Sequence, residues 1–136
     1  MKYFLAKTDP ETYSIDDLER EGMTQWDGVR NPQAVKFLKE MKVGDRVLIY
    51  HSQGEGAIVG LAQVDGQSRP DPDNTRSWLV DFKFTRKFTV PRVTLKDIKA
   101  TQQFKDFRLV YQSRLSTMDV PDKFIAYLKT KGLNLD

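Results

Sequence analysis

The sequence predicts an α+β domain in which a small, strongly bent sheet or barrel is flanked by short helices. Segments with strand-like alternation are mixed with short segments of helical periodicity, which favours this class over a bundle or a sandwich. The glycine-containing residues 53–56 are typical of a tight hairpin connection between two strands. Gly60 lies in the middle of the second strand, where it predicts a bulge or a sharp bend.

The N-terminal segment is predicted to form a strand and then a short helix. YFLAK, residues 3–7, is strand-like, and Thr8-Asp9-Pro10 breaks it because proline lacks the N–H donor of a strand ladder. Ser14 and Asp17 have the spacing of a capping box, which opens a helix. Gly22 is a suitable end for that helix.

A second helix is predicted to begin at Asn31-Pro32. Asparagine is a favoured N-cap, and proline is tolerated at the first helical position because its missing N–H has no intrahelical partner there. Phe37, Leu38 and Met41 then lie on one side at helical spacing. The helix therefore docks on the core, with its N-terminus directed back toward Trp26.

The central part of the chain is predicted to contain three strands. After a turn at residues 43–45, the segments RVLIYHS (46–52) and AIVGLAQV (57–64) form a hairpin. The polar segment RPDPDNTRS, residues 69–77, is predicted to be a loop. Residues 78–85 alternate between apolar and polar side chains, which is the clearest half-buried strand of the chain.

The C-terminal part is predicted to contain two helices and one further strand. Thr94 and Asp97 form another capping-box pair that opens a short helix. Residues 107–111 are predicted to be a strand. Val120-Pro121 precedes the last helix, and Gly132 stops it.

Composition and length limit the protein class. The chain has 136 residues, the usual size of one domain, so we expect residues 1–136 to form a single domain. A hydrophobic content of 39% is typical of a folded globular protein. No apolar run approaches the roughly 20 residues of a membrane helix, and the N-terminal run is too short for a signal peptide. We expect a cytoplasmic protein, or a nuclear one if the source is eukaryotic.

The residue inventory argues against most catalytic and metal chemistry. With no cysteine there is no thiolate nucleophile or thiolate metal site. His51 is the only histidine, so a zinc site would depend on it and carboxylates alone. The sequence has no phosphate-loop motif and no HExxH motif. Ser52 follows His51 directly, so on a strand the two point to opposite faces. We therefore expect no metal, no cofactor and no enzymatic activity.

Positive charge is concentrated in one region of the chain. Residues 83–108 contain eight Lys or Arg and two Asp, a net charge of +6, whereas residues 1–40 contain six basic and eight acidic residues, a net charge of −2. Two interpretations fit this distribution: a surface that binds a polyanion and a solvated lysine-rich surface. On the first interpretation, the candidates for binding phosphate are Arg30, Lys83, Arg86, Lys87 and Arg92.

Three segments combine aromatic and hydrogen-bonding side chains in a way that suits the wall of a binding cavity. They are WDGVRNPQA (26–34), YHS (50–52) and QSR (112–114). Together they supply an aromatic platform, several amides and hydroxyls, and two guanidiniums. Proteins that read an unstacked base use these groups for stacking, for base-edge hydrogen bonds and for phosphate contacts.

Each of these segments also has a purely structural interpretation. Trp26 is equally typical of a core residue. His51 can pack beside the core with its ring nitrogen satisfied. Residues 110–116 can form a capped turn in which Ser116 is the N-cap of a short helical stretch. The sequence alone does not decide whether the three segments meet in space.

The same segments resemble the EVE domain family of the PUA-like superfamily. KTDP (7–10), WDGVRNPQA (26–34), MKVGDRVLIYHS (41–52) and QSRLS (112–116) look like four ordered blocks of that family, with matching spacing. The resemblance implies a PUA-like fold: a small, strongly bent mixed β-barrel with flanking short helices and a nucleobase pocket. It also implies binding of a modified base in DNA or RNA, such as methylated or hydroxymethylated cytosine. Carried over block by block, the pocket candidates are Trp26, Asn31, Gln33, Tyr50, His51, Ser52, Gln112, Ser113 and Arg114.

The chain departs from the family pattern after Arg30-Asn31. Many members have an aromatic residue there, followed by an amide or an arginine, whereas this chain has Pro32 and then Val35 and Lys36 after Gln33-Ala34. If that aromatic ring stacks on the ligand in relatives, this chain lacks the contact. We therefore expect its base preference to differ from theirs.

Four functions are compatible with these features, and they make different predictions. The first is a non-catalytic module that reads a modified base and acts through other proteins that supply effector activity. The alternative is an RNA-binding accessory domain acting on tRNA or rRNA, which would prefer RNA through contacts to the 2′-OH. An enzyme acting on a nucleotide would need His51 or a carboxylate as its base. A protein that binds small acids would depend on Arg30 and Arg114.

Overall fold

The fold begins with a strand and a capped helix, as the N-terminal sequence predicts. The computed structural model describes residues 1–54 and 56–136, so the predicted hairpin connection at 53–56 includes one position, Glu55, that lies outside the described residues. The strands are β1 (Tyr3–Thr8), β2 (Met23–Trp26), β3 (Arg46–His51), β4 (Ala57–Val64), β5 (Arg69–Asp71), β6 (Asn74–Lys87), β7 (Val93–Thr94) and β8 (Thr117–Asp119). The helices are α1 (Ile15–Glu21), α2 (Pro32–Glu40), α3 (Leu95–Ala100), α4 (Arg108–Tyr111) and α5 (Asp122–Thr130).

The strands form one mixed sheet that curls into an open half-barrel. The path is β2-β6-β4-β3-β1-β8, with β5 paired to β6 and β7 paired to β4. The β1–β3 pair is parallel, whereas the other described pairs are antiparallel. The predicted α+β fold with a small, strongly bent mixed sheet and flanking short helices is therefore confirmed.

Register shifts explain the curvature of the central strands. Ile49 pairs with Gly60, but the next residue, Tyr50, pairs with Ile58, so one β4 residue lies unpaired between them. A second shift lies between β4 and β6. Bulges of this kind bend a strand and increase its twist. The bulge predicted in this strand is therefore present, at Val59 next to Gly60.

The core lies on both sides of the central strands. Residues 47–50 of β3 are all buried, which is typical of a strand that is covered on both faces. Aromatic residues of the same core fix α5, where the ring centroid of Phe124 lies 4.7 Å from that of Phe107 and 5.2 Å from that of Phe104. Among the described residues, no helix has both the length and the apolar character that a membrane span requires.

Local capping signals placed the helix starts correctly. Both capping boxes form, since Ser14 accepts the Asp17 N–H and Thr94 accepts the Asp97 N–H. The Asn31 side chain caps α2 as predicted. These side chains satisfy N–H groups that have no partner within their own helix.

Three predictions of local structure were wrong. Residues 108–111 form a helical turn and not a strand, because the Val110 N–H donates to the Phe107 carbonyl at 2.9 Å and the Gln112 N–H donates to the Arg108 carbonyl at 2.8 Å. The predicted loop at 69–77 contains β5 and the start of β6, which meet at an Asx turn where Asp71 accepts the Asp73 N–H. Ser116 caps no helix, since β8 follows it.

Candidate functional site

A cleft of about 560 Å³ opens beside Trp26, at the edge of the sheet formed by β2. Its volume lies in the range of small-molecule and cofactor sites. We call it the Trp26 cleft. Its lining consists of Lys7, Thr8, Asp9, Thr12, Tyr13, Thr24, Gln25, Trp26, Asp27, Gly28, Val29, Arg30 and Ser116.

Packing on two other rings fixes the indole of Trp26. Trp26 pairs with Val80 across β2 and β6, and its ring centroid lies 5.0 Å from that of Phe82 at an interplanar angle of 30°. Tyr13 contacts it edge-on, with centroids 6.1 Å apart and an angle of 81°. Trp26 is half-buried, so both interpretations of its sequence position hold: it packs on the core and it also forms a wall of the cleft.

Tyr13 is a neutral wall residue. Burial raises the pKa of its hydroxyl to about 12, and the hydrogen bond that the hydroxyl donates to Glu21 Oε1 at 2.6 Å adds to this shift. The backbone next to the ring is also held, because Thr8 Oγ1 donates to the Tyr13 carbonyl oxygen at 2.6 Å. The cleft therefore keeps an uncharged aromatic wall at all ordinary pH values.

The turn at residues 27–30 places charged groups around the indole. Gly28 has φ of +75°, a left-handed conformation that glycine adopts without strain. The turn buries Val29 and leaves Arg30 exposed. Asp27 and Asp9 line the same cleft, so carboxylates and a guanidinium border one aromatic surface.

Lys7 joins the Trp26 cleft to the loop at residues 112–116. Its Nζ donates to the Ser113 carbonyl oxygen at 2.9 Å and lies 5.7 Å from the centroid of the Tyr50 ring. Burial lowers the pKa of the Lys7 ammonium. The backbone supports the same connection, because the Lys7 N–H donates to the Ser116 carbonyl at 2.8 Å.

A second depression, of about 270 Å³, is lined in part by the same loop. It is lined by Asn31, Gln33, Gln112, Ser113, Arg114 and Leu115, and we call it the amide depression. Gln33 Nε2 donates to Gln112 Oε1 at 3.2 Å, and Gln112 Nε2 donates to Gln33 Oε1 at 2.9 Å. Asn31 Oδ1 accepts the N–H groups of Gln33 and Ala34, so its oxygen is committed to capping α2.

The predicted pocket residues at 50–52 line neither the Trp26 cleft nor the amide depression. Tyr50 is 3% exposed and belongs to the core. His51 Nε2 accepts the backbone N–H of Ile15 at 3.1 Å. The backbone N–H of Ser52 donates to the Thr8 carbonyl at 3.0 Å. Their direct contact with a ligand stays a prediction.

The charge environment of His51 favours its neutral form. Burial is the main cause that lowers the pKa of the imidazole, and the positive charges of Arg92 and Lys87 act in the same direction. Asp16 opposes them in part. A neutral ring with Nε2 as acceptor matches its bond to α1, which agrees with the structural interpretation of His51.

The predicted phosphate-binding residues do not surround one cavity. Arg30 lines the Trp26 cleft, and Arg92 is exposed. Lys83 neighbours Phe82 on β6 and therefore points to the opposite face of the sheet. Lys87 forms an ion pair with Asp16, and Arg86 Nη2 donates to the carbonyl oxygen of residue 136 at 3.0 Å. Phosphate binding by these residues stays a prediction.

Sequence reasoning missed one side of the Trp26 cleft. Residues 7–9, Thr12 and Tyr13 line it, but none of them is among the predicted site residues. A useful signal was present, since KTDP is one of the four family-like blocks. The structure thus brings Trp26 and Arg30 to one cleft, and it brings Asn31, Gln33 and residues 112–114 to a neighbouring one.

Comparisons with known proteins agree with the fold and extend over most of the chain. The family model described as "EVE domain" matches residues 2–130. Thymocyte nuclear protein 1 of Rattus norvegicus is 32% identical over 117 residues, which cover 77% of this chain and 52% of that protein. The chain therefore spans about half the length of this relative.

Two solved structures show the same architecture. A protein of Agrobacterium tumefaciens is 30% identical, with a TM-score of 0.89 over 98% of this chain and 94% of that one. The human THYN1 protein is 26% identical, with a TM-score of 0.86 over 98% of this chain and 99% of that one. The human structure was solved in complex with DNA that contains 5-methylcytosine.

Proposed function

The chain belongs to the EVE domain family, and on that premise we propose that it binds nucleic acid and reads a modified base in the Trp26 cleft. The observation that carries the proposal is the half-buried indole of Trp26, held against Phe82 and Tyr13 along one wall of an open cleft of about 560 Å³. The complex of human THYN1 with DNA containing 5-methylcytosine supports this choice of ligand.

The groups around the indole match the chemistry of a cytosine-type base. Carboxylates accept hydrogen bonds from the exocyclic amine of cytosine, and Asp9 and Asp27 line the cleft, where Asp9 Oδ1 already accepts the Glu11 N–H at 2.9 Å. The aromatic ring and the neighbouring Val29 provide apolar surface for a 5-methyl group. Stacking contributes about 1–3 kcal/mol per base, whereas extruding a base costs a few kcal/mol. We therefore propose that the base is single-stranded or flipped out of its duplex.

A fluorescence titration tests this proposal. In a Trp78→Phe variant Trp26 is the only tryptophan, so its emission reports directly on the cleft. We expect single-stranded DNA with one 5-methylcytosine to change this emission and to bind more tightly than the unmodified oligonucleotide. Equal affinity for the two would contradict reading of the modification. Tighter binding of RNA of the same sequence would favour the alternative, an accessory domain acting on tRNA or rRNA.

The dependence of affinity on salt identifies the phosphate contacts. Three cations border the two cavities, Lys7, Arg30 and Arg114. For a single strand, three neutralised phosphates give a slope of about −2 in log K against log salt. We expect Arg30→Ala to reduce the magnitude of that slope by about 0.7. Lys83→Ala is the matched control on the opposite face of the sheet. A reduced magnitude of the slope in that variant would instead favour phosphate binding by the basic region at 83–108.

The proposal describes a binding module that catalyses no reaction. An enzyme would need His51 or a carboxylate as its general base. His51 Nε2 accepts the Ile15 N–H, which supports a structural role for this side chain. A module of this kind would act through other proteins that supply effector activity. Its location in the cytoplasm, or in the nucleus of a eukaryote, stays a prediction.

A further inference from the structure

The amide depression and the Trp26 cleft share a wall. Arg30 lines the cleft, and the next residue, Asn31, lines the depression. In the same way, Ser116 lines the cleft and its neighbour Leu115 lines the depression. The bond from Lys7 Nζ to the Ser113 carbonyl fixes this wall. A nucleotide chain that places one base in the cleft would therefore bring an adjacent nucleotide to the depression.

The Gln33–Gln112 pair has unused hydrogen-bonding capacity. A carboxamide has two N–H donors and an oxygen with two lone pairs, and each reciprocal bond uses one donor and one lone pair. At each end of such a pair, the second N–H of one glutamine therefore lies beside the second lone pair of the other glutamine. The donor and the acceptor are as far apart as the bonded atoms, 2.9 or 3.2 Å.

The pair is also held in place before any ligand binds. Both glutamines are half-buried, and each fixes the other, so their side chains lose little freedom when a ligand arrives. Next to them, Arg114 lines the depression and is exposed. Its guanidinium suits a phosphate of the bound strand.

We propose that the amide depression is a second subsite, which reads the base adjacent to the one in the Trp26 cleft. This inference rests on the proposed function. The donor of one glutamine and the neighbouring acceptor of the other match N7 and the N6 amine of adenine, and a good bidentate contact to these two atoms discriminates between bases. The protein would thus recognise a modified base together with its sequence context.

The test compares three trinucleotides that share a central 5-methylcytosine. Their flanking residues are adenine, 7-deazaadenine or abasic sites, so that only the first offers the N7 acceptor. We expect the wild-type chain to bind the adenine-flanked ligand at least about fivefold more tightly than either of the others. Equal affinity for the adenine and 7-deazaadenine ligands would overturn the second subsite.

A double variant, Gln33→Met with Gln112→Met, removes the amide pair while keeping its approximate shape. Replacing both partners of a hydrogen bond by apolar groups of the same shape is often nearly neutral for stability. We expect the variant to bind all three ligands alike, at the affinity of the abasic-flanked one. A preference for adenine that survives in this variant would overturn the proposal.

The abasic-flanked ligand separates failure of the subsite from failure of the proposed function. In one outcome, the wild-type chain binds the abasic-flanked 5-methylcytosine ligand more tightly than the same ligand with unmodified cytosine, but gains no affinity from adenine flanks. The Trp26 cleft then reads the base, and the second subsite is wrong. If wild type binds it no better than the unmodified counterpart, the proposed function itself is wrong and the subsite falls with it.

Discussion

A Trp26→Ala variant is expected to bind a 5-methylcytosine oligonucleotide about five- to 150-fold more weakly than the wild-type chain, a loss that corresponds to one stacking contact of about 1–3 kcal/mol. The indole is the only tryptophan ring that lines the cleft, and Phe82 and Tyr13 hold it in a fixed orientation. Removing it takes away both the stacking surface and the wall that shields a bound base from water.

Two control variants separate the stacking effect from damage to the fold. Trp26→Phe keeps an aromatic surface and is expected to lose much less affinity than the alanine variant. Trp78→Phe changes the other tryptophan, whose ring contacts the Lys39 ammonium and does not line the cleft, so its affinity is expected to match wild type. Isothermal titration calorimetry measures all three, and circular dichroism checks their folding. Wild-type affinity in a folded Trp26→Ala protein would exclude the cleft as the base site.

Helix starts could be predicted from the sequence because the interactions that define them are local. The capping boxes at Ser14 and Thr94 and the cap at Asn31 each involve residues within one helical turn. The bulge next to Gly60 was predicted for a similar reason, since a glycine within a strand often marks a bulge. The helical turn at residues 108–111 was missed because its apolar composition is equally typical of a strand.

The site could be predicted only in part, because its assembly depends on contacts between distant residues. The three polar segments were recognised by composition, but composition does not show which cavity a side chain faces. Gln33 and Gln112 are 79 positions apart, and their pairing becomes visible only in the fold. The bond between His51 Nε2 and the Ile15 N–H also joins residues that are 36 positions apart, so the sequence contains no local signal for it.

A Gly56→Ala variant is expected to lower the free energy of unfolding by about 1–3 kcal/mol, the usual cost of overpacking a core. A methyl group at this position would overlap Tyr50 Oη and lie 2.6 Å from Tyr50 Cζ. Neither partner can move away easily, because Tyr50 is 3% exposed and the Gly56 carbonyl accepts the Leu95 N–H at 2.8 Å. Urea denaturation should show a lower midpoint with an unchanged slope.

A double-mutant cycle with Tyr50→Phe tests this mechanism and connects it to the site. Removing Oη eliminates the closest overlap, so Gly56→Ala should cost less in the Tyr50→Phe background, with a coupling energy of at least about 0.5 kcal/mol. Additive effects would show that the overlap is not the cause. Because the Lys7 ammonium lies 5.7 Å from the Tyr50 ring centroid, a displaced ring would also disturb the wall between the two cavities. We therefore expect Gly56→Ala to weaken oligonucleotide binding, and Tyr50→Phe to restore part of that loss.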